Sequence, residues 1–250
     1  MSDLAGRVVM ITGAAGGLGQ ALALRFAAQG SHLALLDRNA AAVEQLACRL
    51  SKEGHTALPC LADVSKRAEI LQAVDLAAAR YGRIDVLVNN AAISKTKPML
   101  ELDEADWDEM LSINVKGVFF ALQAVCAHMP RGGSIVNIAS VAGRVGRPTL
   151  MHYAASKAAV ISMTRSAAVG LAPRGIRVNA VAPGMIDTEM FHRLQQSWGG
   201  SGTATPAAQT LMGRPALPDE VAAAVLFLAS DASAYTTGQT LNVCGGIVMS

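Results

Sequence analysis

The sequence predicts a single-domain α/β protein with a doubly wound parallel sheet of about seven strands and helices on both faces. Short apolar segments alternate with longer segments of helical periodicity along the whole chain. A glycine-rich turn joins the first apolar segment to the first helical one. The 250 residues are 52% hydrophobic and 16% charged, which supplies a large core and excludes general disorder.

Seven segments have the composition of buried parallel strands, because they are short and mostly apolar. They are residues 7–12, 32–36, 56–61, 84–88, 134–138, 177–181 and 240–243. Strands of this kind are covered on both faces, so the connections between them should be right-handed crossovers.

Six segments between these strands predict helices: residues 20–29, 39–53, 66–81, 104–129, 151–172 and 218–229. Gly30 is placed to end the first helix, and Ser65 and Asp103 are placed to cap the third and the fourth. Residues 185–211 lack a periodic pattern and are rich in Gly, Ser and Thr, so they predict an irregular segment.

Net charge and cysteine spacing exclude several classes of function. The formal net charge is +2 without a basic run, which gives no electrostatic case for a nucleic-acid partner. The four cysteines show neither a CxxC pair nor metal-ligand spacing, and the first residues lack a signal-peptide pattern. We expect a cytoplasmic protein without a metal site that binds neither nucleic acid nor a membrane.

The turn after the first strand has the features of a phosphate site. Gly13, Gly17 and Gly19 let the backbone turn tightly and approach an anion, and the next helix presents unpaired N–H groups. Their spacing differs from the G-x-G-x-x-G dinucleotide pattern. Because tight turns also use glycine for steric reasons alone, the motif by itself leaves both interpretations open.

Side chains at the ends of the next strands indicate an adenosine site. Asp37 follows the second strand, where a carboxylate can accept both hydroxyls of the adenosine ribose and repel a 2′-phosphate. This position favours NAD over NADP, although Arg38 is available to bind a 2′-phosphate. Asp63 can accept from the adenine amino group with Val64 against the ring, and Asn90 can hold the turn after the fourth strand.

Tyr153 and Lys157 form a candidate acid/base pair. They stand at i and i+4 of the helix over residues 151–172, so their side chains share one face. An ammonium near a phenol favours the phenolate, which should lower the pKa of Tyr153 toward neutrality. Such a group suits general acid/base catalysis, whereas an ordinary tyrosine beside a snorkelling lysine is the alternative.

In their order along the chain, these motifs resemble those of the short-chain dehydrogenase/reductase family, which has a Rossmann fold. The resemblance covers almost the whole sequence, and Ala92 departs from the glycine that the family often has. The matching residues are Thr12-Gly13-x-x-x-Gly17-x-Gly19, Asp63-Val64, Asn89-Asn90-Ala91, Asn114, Ser140, Tyr153-x-x-x-Lys157 and Pro183-Gly184 with Thr188.

The resemblance implies roles for four catalytic residues. Tyr153 should exchange a proton with the substrate, and Ser140 should stabilise the reacting oxygen. Lys157 should bind the nicotinamide ribose and lower the pKa of Tyr153. Asn114 should position a water that completes a proton relay.

The resemblance also implies a cofactor set and a substrate lid. Residues 185–212 look like the variable lid of the family, and their composition predicts mobility until a ligand binds. The expected substrate contacts are Ser140, His152, Tyr153 and Met190, with Phe191 and Trp198 as candidate apolar walls. The expected cofactor residues are Gly13, Gly17, Leu18, Gly19, Asp37, Asp63, Val64, Asn90, Tyr153, Lys157, Pro183, Gly184, Ile186 and Thr188.

We therefore expect an oxidoreductase that transfers a hydride between NAD(H) and a secondary alcohol or ketone, with a polyol or sugar alcohol as the substrate. Residues 242–250 are similar to family members that act on sugar alcohols. Gly213-Arg214-Pro215 looks equally like a 3-oxoacyl thioester reductase that uses NADPH. A non-catalytic dinucleotide-binding sensor or scaffold is the remote alternative.

A homotetramer is the expected assembly. The helices over residues 104–129 and 152–172 are too apolar to be covered by one sheet alone. The segments 218–229 and 240–243 offer a second apolar edge. The resemblance implies the same, because members of the family commonly form tetramers from two such surfaces.

Overall fold

The fold is seen in a computed structural model that describes residues 4–197 and 210–249. Its seven strands form one parallel sheet in the order β3-β2-β1-β4-β5-β6-β7. The strands are β1 Val8–Thr12, β2 His32–Asp37, β3 Ala57–Leu61, β4 Val86–Asn89, β5 Ser134–Ile138, β6 Arg177–Pro183 and β7 Thr240–Val243. The expected doubly wound sheet and its seven strands are confirmed.

Eight α-helices in the described part of the chain connect or flank these strands. Asp103 caps the fourth as expected, in a reciprocal arrangement with Asp106. The helices are α1 Gly17–Ala28, α2 Ala40–Lys52, α3 Arg67–Tyr81, α4 Glu104–Leu111, α5 Gly117–Cys126, α6 Met151–Leu171, α7 Glu189–Ser197 and α8 Pro218–Ala229.

Three expectations about the helices were wrong. The first helix begins at Gly17, not at residue 20, because a helix N-terminus tolerates glycines that its interior does not. Ser65 does not cap α3, since its hydroxyl donates to Asp63 Oδ1 at 2.8 Å. The segment expected to be irregular contains α7, whose Phe191 is buried against the cavity described below.

The two faces of the sheet carry separate apolar layers. Leu22 and Phe26 of α1 pack with Val43 of α2 and Val225 of α8 on one face. Ile70 of α3 packs with Val125 of α5 and α6 on the other face. Many of the other packed residues are alanines, so the helices lie close to the sheet.

The chain reverses its direction of winding between β1 and β4. These two strands are neighbours in the sheet, but β2 and β3 lie on one side of them and β5 to β7 on the other. Their carboxyl ends therefore border a crevice that no crossover fills, which is where open α/β sheets bind ligands.

The segment Glu104–Cys126 is long and apolar enough to cross a membrane by length and composition alone. In the fold it is the α4–α5 helix pair, joined by a π-helical turn over Ser112–Lys116. Its first turn carries Glu104 and Asp106, and α5 packs against α3 and the sheet.

A chain of buried amides ties α6 to the centre of the sheet. Asn89 Nδ2 donates to Asn137 Oδ1 at 2.9 Å, and Asn137 Nδ2 donates to Thr164 Oγ1 at 2.9 Å. Thr164 is fully buried on α6. Buried hydrogen bonds of this kind fix one position of the helix on the strands.

Candidate active site and nucleotide site

A cavity of about 490 Å³ opens at the carboxyl ends of the central strands. It reaches from the turn after β1 to the loop after β6, and Tyr153 and Lys157 of α6 line its wall. Of the residues expected to bind cofactor or substrate, it brings together Gly13, Gly17, Leu18, Gly19, Asp37, Asp63, Val64, Asn90, Ser140, Tyr153, Lys157, Pro183, Gly184, Ile186, Thr188 and Met190.

The glycine turn has no room for side chains at two positions. Gly13 has φ +64°, and a Cβ there would lie 2.7 Å from Cα of Ala91. A Cβ at Gly19 would lie 2.2 Å from the carbonyl oxygen of Gly13. The turn is therefore a backbone cradle next to the N-terminus of α1, which suits the diphosphate of a dinucleotide.

Thr12 and Asn90 hold this cradle against the end of β4. Asn90 Nδ2 donates to the carbonyl oxygens of Thr12 at 3.0 Å and Gly13 at 2.9 Å. In return, Thr12 Oγ1 accepts from the amides of Asn90 and Ala91, each at 3.0 Å. The resemblance pointed to Thr12 only as a matching residue and gave it no role.

The loop after β6 reaches the same cradle. A Cβ placed on Gly17 would lie 3.0 Å from Cγ2 of Thr188. Thr188 stands directly before α7, and its hydroxyl donates to the carbonyl oxygen of Ile186 at 3.3 Å. This contact between distant segments places the turn after β1, expected to bind the diphosphate, next to the loop after β6, expected to bind the nicotinamide.

Asp37 is fixed at the rim of the cavity by two backbone amides. Its Oδ2 accepts from Ala15 at 2.9 Å, and its Oδ1 accepts from Asn39 at 3.0 Å. Each carboxylate oxygen keeps a further lone pair, so a ribose diol can donate to both. Arg38, which also lines the cavity, is exposed.

Asp63 and Val64 form the wall next to Asp37. Burial alone would raise the pKa of Asp63, but hydrogen bonds from the amide and the hydroxyl of Ser65 hold it below its usual value. Those two bonds measure 2.9 and 2.8 Å. Val64 is buried against Gly117 of α5.

Tyr153, Lys157 and Ser140 meet at the inner end of the cavity. The Lys157 ammonium lies 5.7 Å from the ring centre of Tyr153 and donates to the carbonyl oxygen of Ile138 at 2.9 Å. Ser140 is hydrogen-bonded to the hydroxyl of Tyr153, and its Oγ accepts from the amide of Ala142 at 3.1 Å. The three side chains can therefore act together on one substrate oxygen and transfer a proton to or from it.

The expected lowering of the Tyr153 pKa is not found. Burial raises the pKa of Tyr153, and the hydrogen bond with Ser140 only partly opposes this effect. Burial also lowers the pKa of Lys157 to about 8, because the ammonium is removed from water. The sequence argument counted the attraction between the two groups and omitted the desolvation that both undergo.

Asn114 is fully buried and lies behind the cavity wall. Its Oδ1 accepts from the amide of Ile93 at 2.9 Å, and its Nδ2 donates to the carbonyl of Ile93 at 2.9 Å and to Ser156 Oγ at 3.1 Å. The π-helical turn around it aims the side chain at these partners. Its role in a proton relay stays a prediction.

His152 does not contact the cavity, contrary to expectation. The side chain is fully buried and lies edge-on to Trp107, with 6.3 Å between the ring centres. It precedes Tyr153 directly on α6, so it points to a different side of the helix. Met190 and Phe191 do line the cavity, and Trp198 lies outside the described residues.

Known proteins with similar sequences match along nearly the full chain. A family described as enoyl-(acyl carrier protein) reductase matches residues 13–248. The 3-oxoacyl-(acyl-carrier-protein) reductase of Thermotoga maritima is 42% identical over 248 residues, 98% of this chain and 99% of that protein. The D-threitol dehydrogenase of Mycolicibacterium smegmatis is 40% identical over 247 residues, 97% of this chain and 93% of that protein.

Solved structures agree with these matches. A short-chain glucose/ribitol dehydrogenase from Brucella melitensis has a TM-score of 0.92 at 36% identity, covering 100% of this chain and 99% of its own. A blue fluorescent protein from a metagenomic library, solved with NADPH, has 0.91 at 36%, with 99% and 100% covered. A 3-oxoacyl-(acyl-carrier protein) reductase from Brucella melitensis with bound NAD has 0.88 at 35%, with 99% and 93% covered.

The buried ammonium of Lys157 makes stability depend on pH. Its pKa is about 8 in the folded protein against 10.5 for an ordinary lysine, so the unfolded chain binds more protons between these values. The contribution of Lys157 to the free energy of unfolding should therefore rise from pH 8 to 10.5, by about 3 kcal/mol at most. Burial raises the pKa of the Cys60 thiol to about 12, which acts in the opposite direction above pH 9, so the quantity to compare is the slope of stability against pH. Urea unfolding should show a more positive slope in the wild type than in Lys157→Met. Lys52→Met, at an exposed position, should behave as the wild type, and an unchanged slope in Lys157→Met would contradict the prediction.

Proposed function

The chain belongs to the short-chain dehydrogenase/reductase family, and we propose that it interconverts a polyol-type secondary alcohol and its ketone with NAD(H). The broader class, an NAD(P)-dependent oxidoreductase acting on CH–OH or keto groups, follows from the family itself. The observation that carries the proposal is the meeting of Tyr153, Ser140 and Lys157 in the cavity that also holds the glycine cradle.

The residues around the cavity fit a dinucleotide. The cradle, whose closely packed backbone leaves no room for a Cβ at Gly13 or Gly19, suits the diphosphate, and the fixed carboxylate of Asp37 suits the adenosine ribose. We assign Lys157 to the nicotinamide ribose and the loop after β6, with Thr188, to the carboxamide. When bound, the nicotinamide ring supplies or accepts the hydride.

Tyr153 is the proposed general acid/base. Its raised pKa leaves the phenol protonated, which is the form that donates a proton to a ketone oxygen during reduction. Alcohol oxidation needs the phenolate, so its rate should increase with pH. Ser140 stabilises charge on the reacting oxygen. Asn114 fixes the segment after β4 relative to α6, through its hydrogen bonds with Ile93 and Ser156.

The preference for NAD rests on charge at one position. We place the 2′-phosphate of NADP beside the Asp37 carboxylate, which would repel it, and the exposed Arg38 at the same rim is the neighbouring cation that would reduce this repulsion.

A 3-oxoacyl thioester reductase that uses NADPH is the second candidate. It is favoured by the 42% identity with the Thermotoga maritima enzyme over nearly the whole chain. Asp37 argues against it through its effect on NADP. A non-catalytic sensor has less support, because such a protein has no need to keep Tyr153, Lys157 and Ser140 together.

We also infer a homotetramer in the cytoplasm. Phe119 of α5 is 46% exposed and Val169 of α6 is 78% exposed, although both belong to apolar helices. On the far edge of the sheet, Phe227 and Leu241 are 44% and 40% exposed. Two separate apolar surfaces suit two kinds of contact between copies of the chain, as a tetramer requires. The cytoplasmic location is inferred from the four free cysteines, which suit a reducing compartment.

Replacing the phenol tests the chemistry. Tyr153→Phe should lower kcat for alcohol oxidation by at least about 100-fold, because the general base is removed. Its affinity for NADH, followed by nucleotide fluorescence, should stay within about twofold of the wild type. Tyr235→Phe, at a fully exposed tyrosine, should leave both quantities unchanged. A Tyr153→Phe enzyme that retains most of its activity would refute the assigned role.

Neutralising Asp37 tests the cofactor preference. Asp37→Asn should weaken NADH binding about tenfold and strengthen NADPH binding, because it removes a charged acceptor and a repulsion. Titration of both nucleotides against the wild type measures the change, with exposed Asp108→Asn as the control. A wild type that binds NADPH more tightly than NADH would reject the NAD assignment and favour the thioester reductase.

Light scattering tests the assembly. At micromolar concentration the mass should be about four times the 25.9 kDa of one chain. Val169→Glu should lower this mass by placing a charge in an apolar contact. Leu76→Glu, on an exposed part of α3, should keep it. A monomeric mass for the wild type would refute the tetramer.

A further inference from the structure

His152 is a fully buried titratable side chain that the proposed chemistry does not use. Neither of its ring nitrogens has a hydrogen-bond partner among the described residues, and the ring lies edge-on to Trp107 of α4. Buried polar atoms are nearly always paired, so an unpaired imidazole needs a physical explanation. A neutral ring can stay in such an aromatic contact, whereas a charged ring needs a counter-ion or water.

The first turn of α6 depends on tertiary contacts, because the leucine at its N-cap supplies no side-chain hydrogen bond. Two contacts with the segment before β5 hold this turn. His152 packs on Trp107, with 6.3 Å between the ring centres, and Ser156 Oγ accepts from Asn114 Nδ2 at 3.1 Å. Tyr153 lies between these two points on α6, so the placement of its phenol depends on both contacts.

The charged side chains around His152 are already paired with one another. Among the described residues, Asp106 and Glu109 of α4 and Lys95 and Lys97 of the segment after β4 act on the ring. Asp106 forms an ion pair with Lys97, and Glu109 forms one with Lys95. The attractions and repulsions oppose each other, and burial, the largest influence, lowers the pKa of His152 from its usual 6.5. A proton on the ring would therefore be buried without a carboxylate of its own.

We propose that His152 is an acid-sensitive positioning residue for Tyr153. In its neutral form the ring packs on Trp107 and holds the first turn of α6 in place. When the ring takes up a proton it leaves this contact for water, the turn moves, and Tyr153 no longer meets the substrate oxygen beside Ser140. The inference rests on the proposed function and adds a reversible loss of activity in acid.

The pH dependence of ketone reduction tests the effect on catalysis. The probe is 3-hydroxybutan-2-one with saturating NADH, because reduction uses the protonated phenol of Tyr153, whose own titration does not lower the rate in acid. In the wild type, kcat should fall about tenfold for each pH unit below the pKa of His152. His152→Phe cannot take up a proton, so its kcat should stay constant over this range. At pH 8 its kcat should be within about threefold of the wild type, because an aromatic contact with Trp107 is kept.

Fluorescence of Trp107 tests the release of the contact without a substrate. The chain has two tryptophans, so Trp198→Phe leaves Trp107 as the only one. Acidification should change its emission in a single reversible step at the pKa of His152, because the imidazole leaves the indole. NMR of the histidine C2 proton measures that pKa directly and should place it below 6.5. His152→Phe in the same background should lack the step.

A matched substitution controls for the loss of a histidine. His55→Phe replaces a half-buried histidine between α2 and β3, and it should keep the acid profile of the wild type. His152→Gln, which is uncharged at every pH, is the second variant if His152→Phe does not fold.

The outcomes separate this inference from the proposed function. A wild-type kcat that does not fall in acid, an equal fall in the His152 variants, or Trp107 emission without the step would overturn the inference while the proposed function stands. Absence of ketone reduction with either nucleotide would reject the proposed function. The fluorescence titration would then decide by itself whether protonation of His152 releases the turn.

Discussion

Removal of the Lys157 ammonium from water is the constraint around which the site is built. The lysine is 2% exposed, and its Nζ donates to the carbonyl oxygen of Ile138 at the end of β5. The amide chain from Asn89 through Asn137 to Thr164 holds α6 close to the strands. On the other side, Gly143 allows a loop to lie against the backbone of Lys157. A helix positioned less firmly would let water reach the ammonium, and its pKa would return toward 10.5.

Burial disfavours the charged form of both Tyr153 and Lys157. Each loses hydration in its charged form, so the structure favours neutral phenol and weakens the hold of Lys157 on its proton. Such a pair is sensitive to any charge or hydrogen-bond donor that enters the cavity, because both groups are desolvated and charges near them are weakly screened. The chemistry of the pair is therefore coupled to what occupies the neighbouring nucleotide site.

The nucleotide site follows from the topology of the sheet. Reversal of the winding between β1 and β4 opens a crevice, and the glycine cradle, Asn90 and Thr188 converge on it from three separate loops. Asp37 reaches the same crevice from β2 and is immobilised by the amides of Ala15 and Asn39. Preorganised polar groups in such a crevice bind without reorganisation, which lowers the entropic cost of association.

The sequence alone determined the features that depend on neighbours along the chain. Apolar runs, helical periodicity and the cap at Asp103 predicted the strands and most helices, and ordered motifs predicted which residues line the cavity. Weak local signals led to errors. The glycines at the start of α1 disfavour a helix prediction there, and the short α7 is not long enough to show a clear helical period of apolar residues. Only the tertiary structure decided the properties that depend on burial and on distant segments. These are the direction of the Tyr153 pKa, the turn of His152 toward Trp107 and away from the cavity, and the partners of Asn114. Desolvation and pairing are set by everything packed around a group, and residue spacing along the chain carries no information about them.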